Sequence, residues 1–177
     1  SCRKLIDGCQ IIDLHKAINF FSDSKFLMVA FDGSTKLEEI FAVLGMNEKG
    51  NRHLLGVRTT TSHRSVDQAK DIMQILRDIA VDANQYGMIS FPLDWLQQQM
   101  KKIRLVISDS TNSAKKARKD FIDEVKDRIR NEEERESGEV IEEEARTSRI
   151  WQGDCVMHQI CNQEKKMAAV MTEDSKV

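Results

Sequence analysis

The chain has 177 residues, 40% of them apolar, and a formal net charge of −2, which suits one domain with a single core. It shows no signal peptide and no apolar run long enough to cross a bilayer. Its four cysteines do not form a dense framework, which favours a reducing compartment. We therefore expect an intracellular protein, in the nucleus or elsewhere, that is neither secreted nor bound to a membrane. Because the chain lacks an initiator methionine, we expect it to be a piece of a longer protein.

Charge is divided unevenly along the chain. Residues 132–144 hold eight glutamates and a single base, Arg135. The remainder keeps 26 of the 27 basic residues and 21 of the 29 acidic ones, and so carries a charge of +5. We expect residues 131–147 to form a mostly solvated acidic insertion, either a continued helix or a disordered loop. The mildly basic remainder permits nucleic-acid binding without requiring it.

The first part of the chain predicts a helix followed by three strands. Apolar residues at helical spacing mark residues 9–22, which either pack against the body of the domain or belong to a preceding domain. An almost wholly apolar run at 25–32 predicts a central strand covered on both faces. Strands at 39–46 and 52–60 are separated by a polar turn that ends in Gly50, so we expect an antiparallel meander.

The second part predicts helices that alternate with two more strands. The predicted elements are a helix at 65–84, a short helix at 93–101, a strand at 103–108, a helix at 112–130, a strand at 149–157 and a helix at 156–171. Ser65 and Gln68 have the spacing of a capping box, and residues 110–112 are expected to cap the helix that follows them.

The order of these elements predicts an α/β domain. A helix between the third and fourth strands implies a right-handed crossover and a partly parallel sheet. We expect a five-stranded mixed sheet with flanking helices over residues 25–171, and the order resembles the ribonuclease-H-like fold. Residues 1–24 are expected to be a helix or linker that leads in from an upstream region, and residues 172–177 a frayed tail.

Two of the predicted strands end on an aspartate. Asp32 ends the run KFLMVAFD, and Asp109 follows IRLVIS. If the two strands are neighbours, their carboxylates lie side by side, and a divalent cation would relieve their repulsion. We therefore predict that Asp32 and Asp109 bind Mg²⁺ or Mn²⁺ for phosphodiester chemistry. Each residue also has a structural explanation, since Asp32 precedes a glycine as in a turn and Asp109 precedes a helix that it can cap.

Two further groups of residues offer weaker candidates. Cys155, His158 and Cys161 supply three zinc-competent side chains, although a helix with half-buried cysteines explains the same spacing. Basic side chains that either contact a DNA backbone or face solvent are His63, Arg64, Lys115, Lys116, Arg118 and Lys119.

Together these motifs resemble the catalytic core of hAT-type transposases. The runs FDGST and VISDSTNSA, an acidic gap and the run CVMHQICN follow one another over about residues 25–165. The residues that match the family's three motifs are Asp32, Gly33, Asp109, Asn112, Cys155, His158 and Asn162. The resemblance implies a ribonuclease-H-like domain that binds divalent metal ions and acts on DNA in the nucleus.

The sequence departs from the family in two places. Lys36 and Leu37 stand where the first motif commonly continues with a tryptophan. The family's catalytic glutamate lies on a helix after a large insertion, and Glu164 is the only acid here near that position in the fold. The resemblance implies that Glu164 is the third acid if the insertion is absent.

Three functions stay open at this point. The first is the catalytic-core fragment of a DNA transposase or a domesticated relative, incomplete as an isolated piece and with oligomer formation open. The second is another ribonuclease-H-like nuclease, for which Glu39 and Asp71 are the only plausible additional acids. The third is a non-catalytic interaction module that keeps the fold and uses the acidic segment as a contact surface.

Overall fold

The computed structural model describes residues 2–34, 40–59, 64–137 and 150–155. Its elements, in chain order, are α1 (Cys2–Asp23), β1 (Leu27–Ser34), β2 (Ile40–Asn47), β3 (Arg52–Thr59), α2 (Ser65–Gln85), α3 (Pro92–Met100), β4 (Ile103–Ser108), α4 (Asn112–Ser137) and β5 (Trp151–Asp154). The predicted order of helices and strands is confirmed over these ranges. The helix predicted at 156–171 lies outside the described residues.

The five strands form one mixed sheet in the order β3-β2-β1-β4-β5. Strands β1, β2 and β3 make the predicted antiparallel meander. β4 pairs in parallel with β1, and β5 pairs in parallel with β4. The α/β class and the five-stranded mixed sheet are therefore confirmed.

The turn between β2 and β3 forms as the sequence predicts. Gly50 has a φ of 78°, a conformation that residues with a Cβ rarely adopt. The Asn47 side-chain oxygen accepts hydrogen bonds from the backbone N–H groups of Lys49 and Asn51, at 3.1 and 3.0 Å. These bonds close the turn and fix how β2 and β3 pair.

All four described helices pack on the same face of the sheet. On this face a Cβ at Gly56 of β3 would lie 2.8 Å from Ile75 of α2, and a Cβ at Gly45 of β2 would lie 2.8 Å from Phe20 of α1. The buried apolar side chains of the helices and of this sheet face form one core. Burial of each large apolar side chain contributes roughly 1.5–3 kcal/mol, so this face dominates the packing energy. Because Phe20 belongs to this core, α1 packs against the body of the domain.

The opposite face of the sheet carries no helix among the described residues. Side chains alternate along β1, so that Val29 and Phe31 are buried while Met28 and Ala30 are only half-buried. The expectation that β1 is covered on both faces is therefore met on one face only within the described part of the chain.

Three local predictions are refined by the structure. The N-cap of α2 is Arg64, whose side chain makes no capping hydrogen bond, and Ser65 is the buried first residue of the helix. The predicted capping box is therefore wrong. Helix α4 continues to Ser137, so the start of the acidic segment is helical, and residues 138–149 lie outside the described ranges. β5 is shorter than the predicted strand at 149–157.

Candidate functional site

The strand register brings Asp32 and Asp109 to the same edge of the sheet. β1 and β4 run in parallel, and Ala30 pairs with Ile107. Each aspartate follows two residues later, so the same register continued places the two aspartates level with each other. The carboxyl ends of parallel strands share one edge, where ligands of open α/β sheets commonly bind. The prediction that the two strands are neighbours is confirmed.

Asp32 is an exposed residue within β1 rather than in a turn. Its backbone pairs with Ala42 of β2, and β1 continues through Gly33 to Ser34. The Asp-Gly turn that would explain this aspartate structurally is therefore not formed. Successive side chains of a strand point to opposite faces of the sheet, and Asp32 alternates in step with Met28 and Ala30. It therefore belongs, as they do, to the face of the sheet opposite the helices.

Asp109 is a half-buried residue directly after β4, and one of its oxygens orients the next helix. Its Oδ1 accepts hydrogen bonds from the Thr111 backbone N–H at 2.9 Å and from the Thr111 hydroxyl at 2.6 Å. The Thr111 hydroxyl in turn accepts a bond from the Ala114 N–H at 3.3 Å, so Thr111 is the cap of α4. The predicted cap at residues 110–112 is confirmed. These bonds hold the Asp109 carboxyl group in a fixed orientation and use only one of its two oxygens.

Asp154 is a third carboxylate at this edge, and the sequence analysis did not select it. It ends β5 level with Ser108 of β4. The Arg118 Nη1 donates a hydrogen bond to Asp154 Oδ1 at 3.0 Å, and Lys115 Nζ lies 3.6 Å from Oδ2. The hydrogen bond from Arg118 lowers the pKa of Asp154, and the Lys115 charge adds to this effect, while partial burial opposes it. The only signal in the sequence was its place within the predicted strand at 149–157.

Arg118 joins the ends of β4 and β5 from inside the protein. Only 6% of this residue is exposed, and its Nη1 also donates to the Ser108 hydroxyl at 3.3 Å and to the Gly153 carbonyl oxygen. Among the described residues its Nε has no hydrogen-bond partner. Arg118 therefore balances the charge of Asp154. The sequence predicted that Arg118 contacts DNA together with three neighbouring lysines. Lys115, Lys116 and Lys119 are exposed on α4, but Arg118 is buried.

Of the other predicted site residues that the structure describes, Cys155 lies at this edge, directly after β5. Arg64 is exposed at the start of α2, and Asp71 of that helix pairs with Arg58 of β3 at 3.5 Å. The Cys155 backbone N–H donates to the Ser108 carbonyl oxygen at 2.7 Å, which extends the β4–β5 ladder by one residue. The predicted residues that lie outside the described ranges are Glu39, His63, His158, Cys161 and Glu164.

The described carboxylates suit a magnesium-type ion better than zinc. No group of three or more His, Cys, Asp or Glu side chains within the described ranges is arranged to hold a metal ion. Mg²⁺ is commonly held by only one or two carboxylates, with water and substrate phosphates as the remaining ligands. A zinc site needs three or four protein ligands, and of the predicted zinc set only Cys155 is described. Two carboxylates at one sheet edge are as many as a protein commonly supplies to Mg²⁺ or Mn²⁺.

Comparison with known proteins gives no family assignment. The chain matches no protein-family model, and neither a curated protein nor a solved structure matches it. Over the ranges that the structure describes, no helix has the length and apolar character needed to cross a membrane. Any functional assignment therefore depends on the site geometry and on the sequence motifs.

Proposed function

We propose that this chain is the catalytic core of a hAT-type DNA transposase, or of a domesticated relative, with a ribonuclease-H-like fold. The single observation that carries the proposal is the parallel β1–β4 register. Continued two residues beyond the pairing of Ala30 with Ile107, this register would bring Asp32 and Asp109 level with each other at one edge. The meander extended by two parallel strands agrees with that fold. The match of three motifs in the family's order supports the choice of transposase over other nucleases.

In this function Asp32 and Asp109 hold Mg²⁺ or Mn²⁺ at the sheet edge. A bound divalent ion supplies an activated water or hydroxyl nucleophile and neutralises charge on the leaving oxygen. Thr111 fixes Asp109 through two hydrogen bonds, so this carboxylate is oriented before any substrate arrives. Asp32 is exposed, which leaves its carboxylate on the side from which a DNA strand can approach.

The first turns of α4 provide a surface for the DNA backbone. The helix begins three residues after Asp109, so its positive N-terminal end lies beside the same edge. Lys115, Lys116 and Lys119 are exposed there and add positive charge, which attracts phosphates in a salt-dependent way. Arg118 favours DNA binding indirectly. Its positive charge is paired with Asp154, so the negative charge of that carboxylate repels phosphate groups less.

The proposed site needs groups beyond the described residues. Glu164 is the proposed third acid, and Cys155, His158 and Cys161 remain the proposed set for any Zn²⁺. DNA is the proposed partner and the nucleus the proposed compartment, with oligomer formation possible.

A non-catalytic interaction module is the second candidate, and one observation favours it. The Asp109 carboxyl group already has a structural role in the Thr111 turn, and Asp154 is paired with Arg118. In that case these two carboxylates stabilise the fold, and the edge is a remnant of a metal site.

A plasmid-nicking assay with the full chain separates these candidates. We expect nicking of supercoiled DNA that requires Mn²⁺ or Mg²⁺ and falls at least about 100-fold in Asp32→Asn, because a metal ion contributes several kcal/mol to such chemistry. Asp127→Asn is the matched control, since Asp127 is an exposed carboxylate of α4 that pairs with Arg130 on the helix surface. Absence of metal-dependent nicking, or equal nicking by Asp32→Asn, would favour the interaction module.

A further inference from the structure

The amino ends of β1 and β4 carry an exposed aromatic residue among several cations. Phe26 directly precedes β1 and is 51% exposed. It comes six residues before Asp32, so it lies roughly 20 Å from that carboxylate, at the opposite end of the strand. The basic residues at this end of the sheet are Lys25, Lys49, Lys101, Lys102 and Arg104.

A β-bulge places one of these cations against the aromatic ring. The Leu27 backbone N–H donates to the Lys102 carbonyl oxygen at 2.8 Å, so Phe26 lies beside the start of β4. The pairing of β1 with β4 shifts by one residue after Leu27, which leaves Arg104 as the extra residue of the bulge. Bulges commonly redirect a side chain, and here the Arg104 guanidinium carbon lies over the Phe26 ring, 5.5 Å from its centre.

Hydrogen bonds hold both the ring and the cation in place. Arg104 Nη1 donates to two backbone carbonyl oxygens close to it in the chain, at 2.7 and 3.1 Å. Glu48 Oε2 accepts from the backbone N–H groups of Lys25 and Phe26, at 3.1 and 3.2 Å. The segment that carries the ring is therefore fixed to the turn between β2 and β3 before any ligand arrives.

Positive charge exceeds negative charge around this ring. The acidic residues in the same region are Asp23, Glu48 and Glu132, against the five basic ones. One Glu48 oxygen is engaged by backbone N–H groups, and Glu132 lies 3.6 Å from Lys101. Lys25 and Lys49 are exposed, so both can reach an anion in solvent. The region therefore combines an accessible ring with an excess of cations.

We propose that the surface formed by Lys25, Phe26, Lys49 and Arg104 binds a single-stranded nucleic acid. Unpaired bases stack on exposed aromatic rings while lysine and arginine follow the phosphates, and an arginine on the ring adds a cation–π contribution. An acidic peptide would use the cations but has no general use for the ring. This contact goes beyond the proposed metal chemistry, because it lies far from Asp32 and needs no metal ion.

Binding of a fluorescein-labelled oligo-dT strand of about 20 nucleotides to the full chain, followed by fluorescence anisotropy in EDTA, tests the ring. We expect Phe26→Leu to weaken binding at least about fivefold, because stacking is lost. Phe26→Tyr keeps the ring and should bind within about twofold of the wild type. Phe91→Leu is the matched control, since it removes another exposed phenylalanine, 71% exposed and directly before α3.

The salt dependence of the same binding tests the lysines. Lys25→Gln and Lys49→Gln should each reduce the slope of log K against log salt by about 0.7, the value for one phosphate contact on a single strand. Lys70→Gln, at an exposed lysine of α2, should leave the slope unchanged. An oligo-rU strand shows whether the sugar matters, and Phe26→Leu should weaken its binding by the same factor.

The proposal fails if the folded wild type does not bind oligo-dT, or if Phe26→Leu binds it as tightly as the wild type. Tighter binding of poly-glutamate, independent of Phe26, would also overturn it and assign the surface to an acidic protein. Because EDTA removes divalent ions, a failure of the Asp32 and Asp109 metal site would not change these results. Loss of oligo-dT binding would likewise leave metal-dependent nicking to be judged by itself.

Discussion

At the scale of single residues, Arg118 determines how the carboxyl ends of β4 and β5 are held together. One guanidinium nitrogen donates to the Ser108 hydroxyl, the Gly153 carbonyl oxygen and the Asp154 carboxylate. Hydrogen bonds between charged groups are stronger than neutral ones, and a buried charge that loses its partner is costly. The ends of β4 and β5 therefore depend on one side chain of α4.

Arg118→Met should lower the free energy of unfolding by about 2–4 kcal/mol, because Asp154, Ser108 and the Gly153 carbonyl group lose their common donor. Urea denaturation at neutral pH measures the change. Lys119→Met is the matched control, since Lys119 is exposed on the next position of α4 and should change stability by less than about 0.5 kcal/mol. Equal effects of the two substitutions would show that the Arg118 contacts do not stabilise the fold.

Acid should weaken the same contact. The pKa of Asp154 is lowered in the folded protein by Arg118, so the folded state binds fewer protons at this residue than the unfolded state. The resulting stability is present above the unfolded-state pKa of about 3.9 and is lost as the pH falls through the lower folded-state value. We expect the wild type to be more stable than Asp154→Asn at pH 7, and the difference to shrink below about pH 4. A difference that stays constant between pH 7 and pH 2.5 would contradict this.

At the scale of elements, the distance between α2 and β3 is set by the absence of a side chain. A Cβ at Gly56 would lie 2.8 Å from Ile75 Cγ2 and 3.3 Å from its Cγ1. Ile75 is buried and β-branched, so its side chain cannot rotate away easily. The helix must therefore shift if the glycine is replaced.

Gly56→Ala should destabilise the protein by about 1–3 kcal/mol, the usual cost of overpacking. Gly153→Ala is the matched control in another strand of the same sheet, because its Cβ would meet Ile107 at an ordinary 3.4 Å. We expect the control to change the unfolding free energy by less than about 0.5 kcal/mol. Thermal and urea denaturation report both, and a Gly56→Ala protein as stable as the control would show that α2 adapts without cost.

Elements were more predictable from the sequence than their ends. Apolar periodicity located β4 at the predicted residues, and it located the ends of β1, β2 and β3 to within two residues. Burial of one sheet face determines where a strand runs and which of its side chains point into the core. The capping box at Ser65 and Gln68 was wrong because Ser65 is itself buried in the first turn and Arg64 precedes it as the cap. The spacing of a serine and a glutamine in the sequence does not show whether the serine side chain can reach the backbone N–H groups at the start of the helix.

At the scale of the whole molecule, only part of the candidate site could be predicted. Asp32 and Asp109 were recognisable because each follows an apolar strand, and the parallel β1–β4 pairing makes them neighbours. The Arg118–Asp154 pair joins residues 36 positions apart. Its existence depends on where α4 crosses the sheet, which no local pattern determines. The sequence therefore indicated Asp32 and Asp109, but neither Asp154 nor its pairing with Arg118, which had been predicted as a DNA contact.

The central claim is that Asp32 and Asp109 form one divalent-metal site, and Mn²⁺ titration by calorimetry tests it most directly. Wild type, Asp32→Asn, Asp109→Asn and the control Asp127→Asn should all be folded, as checked by circular dichroism. The account predicts saturable binding in the wild type and the control, and its loss in both Asp32→Asn and Asp109→Asn. A folded wild type that binds no Mn²⁺, or binding that survives both substitutions, would contradict the claim and favour the non-catalytic interaction module.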